Sequence, residues 1–184
     1  NCNTSQVADD AARKRADKRT RIANYYVEAS RLQTQMYAAA DRYITYGFMP
    51  IRIEANMDEQ RPHIGLDDPW GAYPDIDRFG NCTAYAKRWQ LPAGRLAAMY
   101  PEYRDRILGA GKNSINGNSL LELVRWEDHE QSILFIPERS GLILAQIRNP
   151  IGRCPVVIAQ MPSFDSETRG QFDDVLWVQL ARAK

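Results

Sequence analysis

The sequence predicts an α+β fold, a long N-terminal helix packed on a mainly antiparallel sheet of about four to five strands. Three observations carry this expectation. Residues 4–47 form a helical pattern with no proline or glycine before Gly47. From Leu120 onward, short runs of branched and aromatic residues alternate with turn signals. The connections between the middle runs are short, which suits strands joined directly to antiparallel neighbours.

The helical pattern has two characters. From Val7 to Arg21 alanines are the only other apolar residues, while Arg13, Lys14, Arg15, Lys18, Arg19 and Arg21 crowd together. Such a charge run reads first as a solvated arm, residues 1–21, and second as a contact for phosphates. It has no interleaved aromatic side chain to stack on bases, so nucleic acid is not the expected partner. From residue 22 an apolar stripe begins, at Ile22, Tyr25, Tyr26, Ala29, Leu32, Met36, Ala40, Tyr43 and Ile44. Spacing by threes and fours places these on one face, and Ile22, Tyr25, Ala29, Leu32, Met36 and Tyr43 are the expected packing residues. Gly47 suits a C-cap, and Pro50 forbids easy continuation.

Residues 22–184 are expected to form a single head. Within it, residues 48–91 read as a long irregular connection, because Pro50, Pro62, Gly65, Pro69, Gly71, Pro74 and Gly80 punctuate them. Asp68-Pro69-Trp70-Gly71 has the residue order of a β-turn, with Asp68 as its side-chain acceptor and Trp70 as an anchor. Residues 92–108 suit one or two short helices, with Pro92 in a first turn and Pro101 restarting the run. Five strand-like runs follow, Leu121 to Trp126, Ser132 to Ile136, Leu142 to Ile147, Pro155 to Gln160 and Val175 to Leu180.

At 184 residues the chain can bury a sizeable core, and 24 basic against 23 acidic residues leave a net charge of +1, so no global field selects an anionic partner. No run of 18 apolar residues occurs. Asn1 is not a natural initiator, and the expectation is that the sequence begins inside a longer protein with a membrane segment before it. The three cysteines, Cys2, Cys82 and Cys154, are far apart and without C-x-x-C spacing, which argues against zinc. Cys82 and Cys154 both sit beside turn signals and form the preferred disulfide, which would imply an oxidising compartment; reduced interior thiols are the alternative.

Chemistry-bearing residues are sparse. Asp67, Asp68, Asp75 and Asp77 suggest calcium, but their spacing is not that of an EF-hand loop, and no cofactor or metal is expected. His129 lies in Glu127-Asp128-His129-Glu130 between two strand runs, where a solvated hairpin turn is the simpler reading, and His63 has no patterned partner. Asp173 and Asp174 are consecutive, so in a strand their side chains would point to opposite faces rather than share a proton. They are expected to fix the entry of the last strand. No catalytic constellation emerges.

The order of three motifs carries a resemblance. Gly47-Phe48-Met49-Pro50 ends the helix, Asp68-Pro69-Trp70-Gly71 follows, and Phe172-Asp173-Asp174-Val175-Leu176-Trp177-Val178 comes near the end. This order resembles the head of type IV pilin-like proteins, the class of pilins, minor pilins and type II secretion pseudopilins. The matched positions are Gly47, Pro50, Asp68, Pro69, Trp70, Gly71, Asp173, Asp174 and Trp177. The resemblance implies a non-enzymatic structural subunit of a bacterial pilus or secretion filament, anchored in the inner membrane by a preceding apolar helix. Its partners would be other pilin-like subunits and their assembly machinery, in the periplasm or at the cell surface. The competing expectation is a periplasmic or surface binding module that uses Arg13 to Arg21 for phosphate-bearing ligands.

Overall fold

The computed structural model describes residues 10–109 and 114–161, together with Gly170, Asp173 and Arg182. The chain is mixed helix and sheet, with antiparallel sheets of three and five strands. In chain order the first elements are α1 (Asp10–Ala29), α2 (Leu32–Tyr46), β1 (Phe48–Asn56), β2 (Arg61–Leu66), β3 (Ala72–Ile76) and β4 (Cys82–Pro92). Then come α3 (Ala93–Met99), a 3₁₀ turn, α4 (Arg104–Leu108), β5 (Leu120–Glu127), β6 (Gln131–Ile136), β7 (Leu142–Arg148) and β8 (Val156–Gln160). The backbone groups into two compact units, one containing the chain up to Asp68 and from Ala159, the other Pro69–Ile158.

In the first unit the single helix expected over residues 4–47 is interrupted. Arg31 adopts a left-handed conformation at φ 52°, ψ 35° between α1 and α2. Neither proline nor glycine causes the break. Its setting is tertiary: Ser30, buried at the junction, accepts the Ile64 amide on Oγ at 3.0 Å, and Gln35 Oε1 accepts the Leu66 amide at 3.2 Å. Gln35 also donates from Nε2 to the Ser30 carbonyl at 3.1 Å. Two side chains therefore satisfy amides of β2, an edge strand of the order β2-β1-β8, which would otherwise be open to pairing. As expected, Gly47 closes α2, with φ 76° and its amide on the Tyr43 carbonyl at 2.8 Å.

The expected packing face is rotated. Ala29, Leu32 and Tyr43 are half-buried, but Ile22, Tyr25 and Met36 are 43%, 60% and 57% exposed. The sheltered row of α2 is Leu32, Gln35, Ala39, Tyr43 and Tyr46, again in steps of three and four. A polar residue belongs to it because Gln35 has a strand amide to receive. Arg42 pairs with Asp68 at 2.7 Å.

The irregular connection expected over residues 48–91 is instead four strands. Strand β1 pairs antiparallel with β2 from Ile51↔Leu66 to Asn56↔Arg61, and β3 pairs with β4 from Ala72↔Lys87 to Ile76↔Cys82. The prolines mislead because of where they fall. Pro62 lies in β2 and Pro74 in β3, the edge strands of their sheets, where a missing N–H need not interrupt a ladder. Pro92 is the last residue of β4.

In the second unit the strand order is β3-β4-β5-β6-β7, antiparallel throughout. Strands β5 to β7 coincide with the apolar runs read from sequence. On one face Leu121 and Leu123 meet Leu96, Ala97 and Ile107 of the short helices, together with Ile136, Leu142 and Leu144. Each fully buried leucine or isoleucine here contributes about 1.5–3 kcal/mol. Helix α3 has no side-chain cap; its first amides, Ala93 and Gly94, donate to the carbonyls of Ser119 and Gly117 at 2.8 and 2.7 Å. Gly94 lets the two backbones approach closely, since a Cβ there would stand 3.2 Å from the Gly117 carbonyl oxygen and the loop would have to give by a few tenths of an ångström.

The strand expected at Val175 to Leu180, with Asp174 and the anchor Trp177, lies outside the described residues. Asp173 is described and is helical, while the strand whose entry it is expected to fix lies outside the described residues. Its amide donates to the Gly170 carbonyl at 3.2 Å, and its carboxylate accepts the Gly170 amide at 2.8 Å.

Ser30→Ala removes the acceptor of the Ile64 amide while leaving α1 and α2 their backbone bonds. It should lower stability by about 1–2 kcal/mol in urea unfolding. A change below about 0.3 kcal/mol, within the scatter of surface substitutions, would mean that the bond does not hold the helix junction to β2.

Candidate functional site

A concentration of polar side chains lies at one end of the five-stranded sheet. Asp128, His129 and Glu130 turn the chain from β5 into β6. Asp128 organises that turn: Oδ1 accepts the amides of Glu130 and Gln131 at 2.7 and 2.8 Å, and Oδ2 accepts the Trp126 indole N–H at 2.9 Å. The indole hydrogen bond first, then the Gln131 and Glu130 amides, hold its carboxyl below the usual carboxylate range against a smaller cost of desolvation. The carbonyl of Asp128 accepts Asn149 Nδ2 at 2.7 Å, and the same nitrogen donates to the Arg153 carbonyl at 2.6 Å. Asn149 also donates its amide to the Glu130 carbonyl at 2.7 Å and receives the Ile151 amide on Oδ1 at 3.0 Å. One asparagine thus ties the loop after β7 onto the β5–β6 turn.

Between turn and loop lies an open cleft of about 930 Å³, lined by His129, Gln131, Gln146, Arg148, Asn149 and Ile151 among others. Gln146 Nε2 donates to Gln131 Oε1 at 2.8 Å across β6 and β7. The cleft offers amide donors and acceptors, one guanidinium and an apolar flank, a composition suited to binding. His129 and Glu130 approach to 3.5 Å but are both well exposed, so their attraction is solvent-screened. That geometry describes a surface turn.

Behind the turn, the register places Tyr85 opposite Glu127 and Lys87 opposite Arg125, all on the sheet face that carries the core. Glu127 is buried, accepts the Ser132 hydroxyl at 3.2 Å and pairs with Arg125 Nε at 3.7 Å. Lys87 Nζ donates to the Trp70 carbonyl at 2.6 Å. Glu127 therefore has an opposite charge within ion-pair distance, and the Lys87 ammonium a carbonyl to receive one of its protons. Sequence reading passed over both Asn149 and this row. For Asn149 the signal is present in Asn149-Pro150-Ile151-Gly152, a turn sequence led by a side chain that can bond its own backbone two residues on. For Lys87 the signal is the alternation of Tyr85, Lys87, Trp89 and Leu91, a strand face whose apolar character the lysine interrupts.

Cys82 and Cys154 stand together although 72 residues apart, their sulfurs 3.8 Å from each other. A disulfide bond is about 2.05 Å long, so these are two neighbouring thiols. The acidic loop does not converge on a point. Asp77 Oδ1 accepts the amides of Phe79 and Asn81, Asp75 accepts the Thr83 hydroxyl, and Asp68 meets Arg42. Bonds from Asn81, backbone first and then side chain, hold Asp77 below the usual carboxylate range. Among the described residues no three His, Cys, Asp or Glu side chains are placed to hold a metal.

The turn motif is divided in its duties. Gly71 is required, at φ 71°, because a Cβ would lie 2.5 Å from the Arg88 carbonyl oxygen. Trp70 is 72% exposed, which corrects its expected role as a packing anchor. Pro50 is fully buried. Arg13, Lys14, Arg15, Lys18, Arg19 and Arg21 are all exposed on α1. At about 100° per residue they cover most of the helix circumference, leaving Ala12, Ala16 and Thr20 as the half-buried side.

No known family model and no curated protein matches this chain. No helix among the described residues is long and apolar enough to cross a membrane.

Asp128→Ala should lower the melting temperature at neutral pH, and the pH dependence identifies the cause. A carboxyl depressed on folding stabilises fully above its unfolded value of about 4, and that contribution is lost as pH falls through the lower folded value. The gap between variant and parent should therefore narrow below about pH 4. A gap independent of pH would assign the loss to packing.

Proposed function

We propose that the protein is a non-enzymatic structural subunit that works by packing its N-terminal helices against other protein chains. The observation that carries this reading is the uncovered apolar side of α1 and α2, where no residue other than the junction is buried. Ile22, Tyr25, Met36, Tyr37 and Ile44 are 43%, 60%, 57%, 87% and 37% exposed. Single exposed apolar side chains are ordinary, but five between residues 22 and 44 of the two helices offer apolar surface whose burial would be favourable on association. The narrower assignment, to a type IV pilus or type II secretion filament of a bacterial inner membrane, periplasm or cell surface, is supported by the order of the three motifs. Gly47 and Gly71 in those motifs have backbone reasons to be glycine in this chain.

Association should therefore be concentration-dependent and carried by this side of the helices. In sedimentation velocity, a Tyr25→Glu, Met36→Glu double variant should lose at least about tenfold in association constant, since the loss of two apolar contacts exceeds about 1.4 kcal/mol. Its circular dichroism should match the parent. A parent that stays monomeric at about millimolar concentration, beyond the range of weak specific contacts, and fails to co-assemble with pilin-like subunits would overturn the reading.

The second reading, a binding module whose basic arm takes phosphate groups, is supported by the exposure of all six cations. It requires binding to anionic vesicles that falls steeply with salt and is lost when Arg13, Lys14, Arg15, Lys18, Arg19 and Arg21 are replaced by glutamine. Weak binding with little salt dependence would remove it.

A further inference from the structure

We propose that Cys82 and Cys154 form a redox-active dithiol that exchanges with disulfide-bearing oxidants, Cys154 attacking and Cys82 closing the bond, and that this closure fastens the wall of the neighbouring cleft. The inference is independent of the assembly reading and rests on a different unit of the chain.

Four observations converge on the pair. The sulfurs are already in contact at 3.8 Å, and both residues are partly exposed, so a small disulfide can reach them. Each thiol also has a place to rest when reduced, Cys82 against the Ala84 carbonyl at 3.3 Å and Cys154 against the Glu127 carbonyl at 3.7 Å. The surrounding fold does not depend on the covalent bond. Asn149 holds the loop to Asp128, Glu130 and Arg153 by hydrogen bonds alone, so the loop stays docked in the reduced state. Finally, no third metal-binding side chain joins them among the described residues, which favours thiol exchange over metal capture.

The two cysteines are not equivalent. The hydrogen-bonded contact with Cys82, with further help from the Val156 amide, draws the Cys154 thiol down, while burial and then Glu127 and Asp128 oppose this. Cys82 is pushed up, first by its hydrogen bond to Cys154, then by burial, then by the charges of Cys154, Asp75 and Glu127. Cys154 is thus the more readily ionised of the two and Cys82 the later to lose its proton, the order that thiol exchange needs.

The chemistry balances. The Cys154 thiolate attacks one sulfur of an R–S–S–R oxidant, forming Cys154–S–S–R and releasing R–S⁻. That step removes the hydrogen bond that most raises Cys82 and, with it, the negative charge on Cys154, so Cys82 more readily yields its proton to solvent. Its thiolate attacks Cys154 Sγ, forms the Cys82–Cys154 bond and releases the second R–S⁻. The pair loses two electrons and the oxidant gains them. The bond joins the first residue of β4 to the residue after Arg153, whose carbonyl already holds Asn149 on the cleft wall.

The test uses the full chain with Cys2→Ser, so that only this pair remains. Treated with oxidised glutathione, the folded protein should lose both free thiols with formation of an internal disulfide, seen by alkylation and intact mass. Dithiothreitol should restore them without a change in circular dichroism, and amide exchange at Asn149 and Ile151 should slow on oxidation. At neutral pH, iodoacetamide should modify Cys154 at least about tenfold faster than Cys82, because the thiolate is the reactive form. Cys82→Ser should accumulate a glutathione adduct on Cys154, while Cys154→Ser accumulates about tenfold less on Cys82. A disulfide that resists dithiothreitol until the protein is unfolded marks a permanent crosslink and overturns the proposal. Thiols that ignore oxidised glutathione, or equal labelling of the two cysteines in the parent, overturn it as well.

Discussion

The second unit depends on the hydrogen bonding of one carboxylate. Asp128 gathers two amides and an indole N–H on its side chain, and its carbonyl receives Asn149. The first set fixes the β5–β6 turn, and with it the register that places Glu127 beside Ser132. The second carries that order outward into the loop after β7, and so to Arg153 and Cys154. Cleft, buried ion row and cysteine pair are consequently not separate features. Each is positioned by bonds that begin at a three-residue turn.

The first unit solves a different problem. Strand β2 ends its sheet, and an edge with free amides is open to pairing with other chains. Ser30 and Gln35 close part of that edge with side-chain oxygens, and the helix yields a left-handed residue at Arg31 in doing so. The helices are thereby set with a mixed polar row against the strands and much of their apolar stripe outward. A helix fixed by polar bonds retains apolar surface for a partner, which is why the exposed side is the strongest functional observation in this unit.

Much of the fold was legible in the sequence. The α+β class, the Gly47 cap, the short helices after Pro92 and the strands β5 to β7 follow from periodicity and turn chemistry, which act over a few residues. The strands between residues 48 and 91 were not, because proline reads as a breaker unless it is known that β2 and β3 are edges. Edge position is a property of the finished sheet. The helix face was misjudged for a related reason: counting apolar side chains leaves out Gln35, whose place inward depends on an amide of Leu66. Trp70 looked like an anchor by size, yet its backbone carbonyl, not its ring, receives Lys87.

The sequence by itself determined where the chain can be helical, where it must turn, and that Gly47 and Gly71 occupy positions where backbone conformation matters. These are local matters, fixed by sterics and by hydrogen bonds between near neighbours. Tertiary structure alone decided that Arg31 breaks the helix, that Ile22, Tyr25 and Met36 stay in solvent, and that Asn149 joins a loop to a turn. It also brought Cys82 to Cys154 across the intervening strands, a meeting that turn signals suggested but sequence distance could not enforce. In each case the deciding partner is remote in sequence, and its approach is set by the register of strands that must first pair.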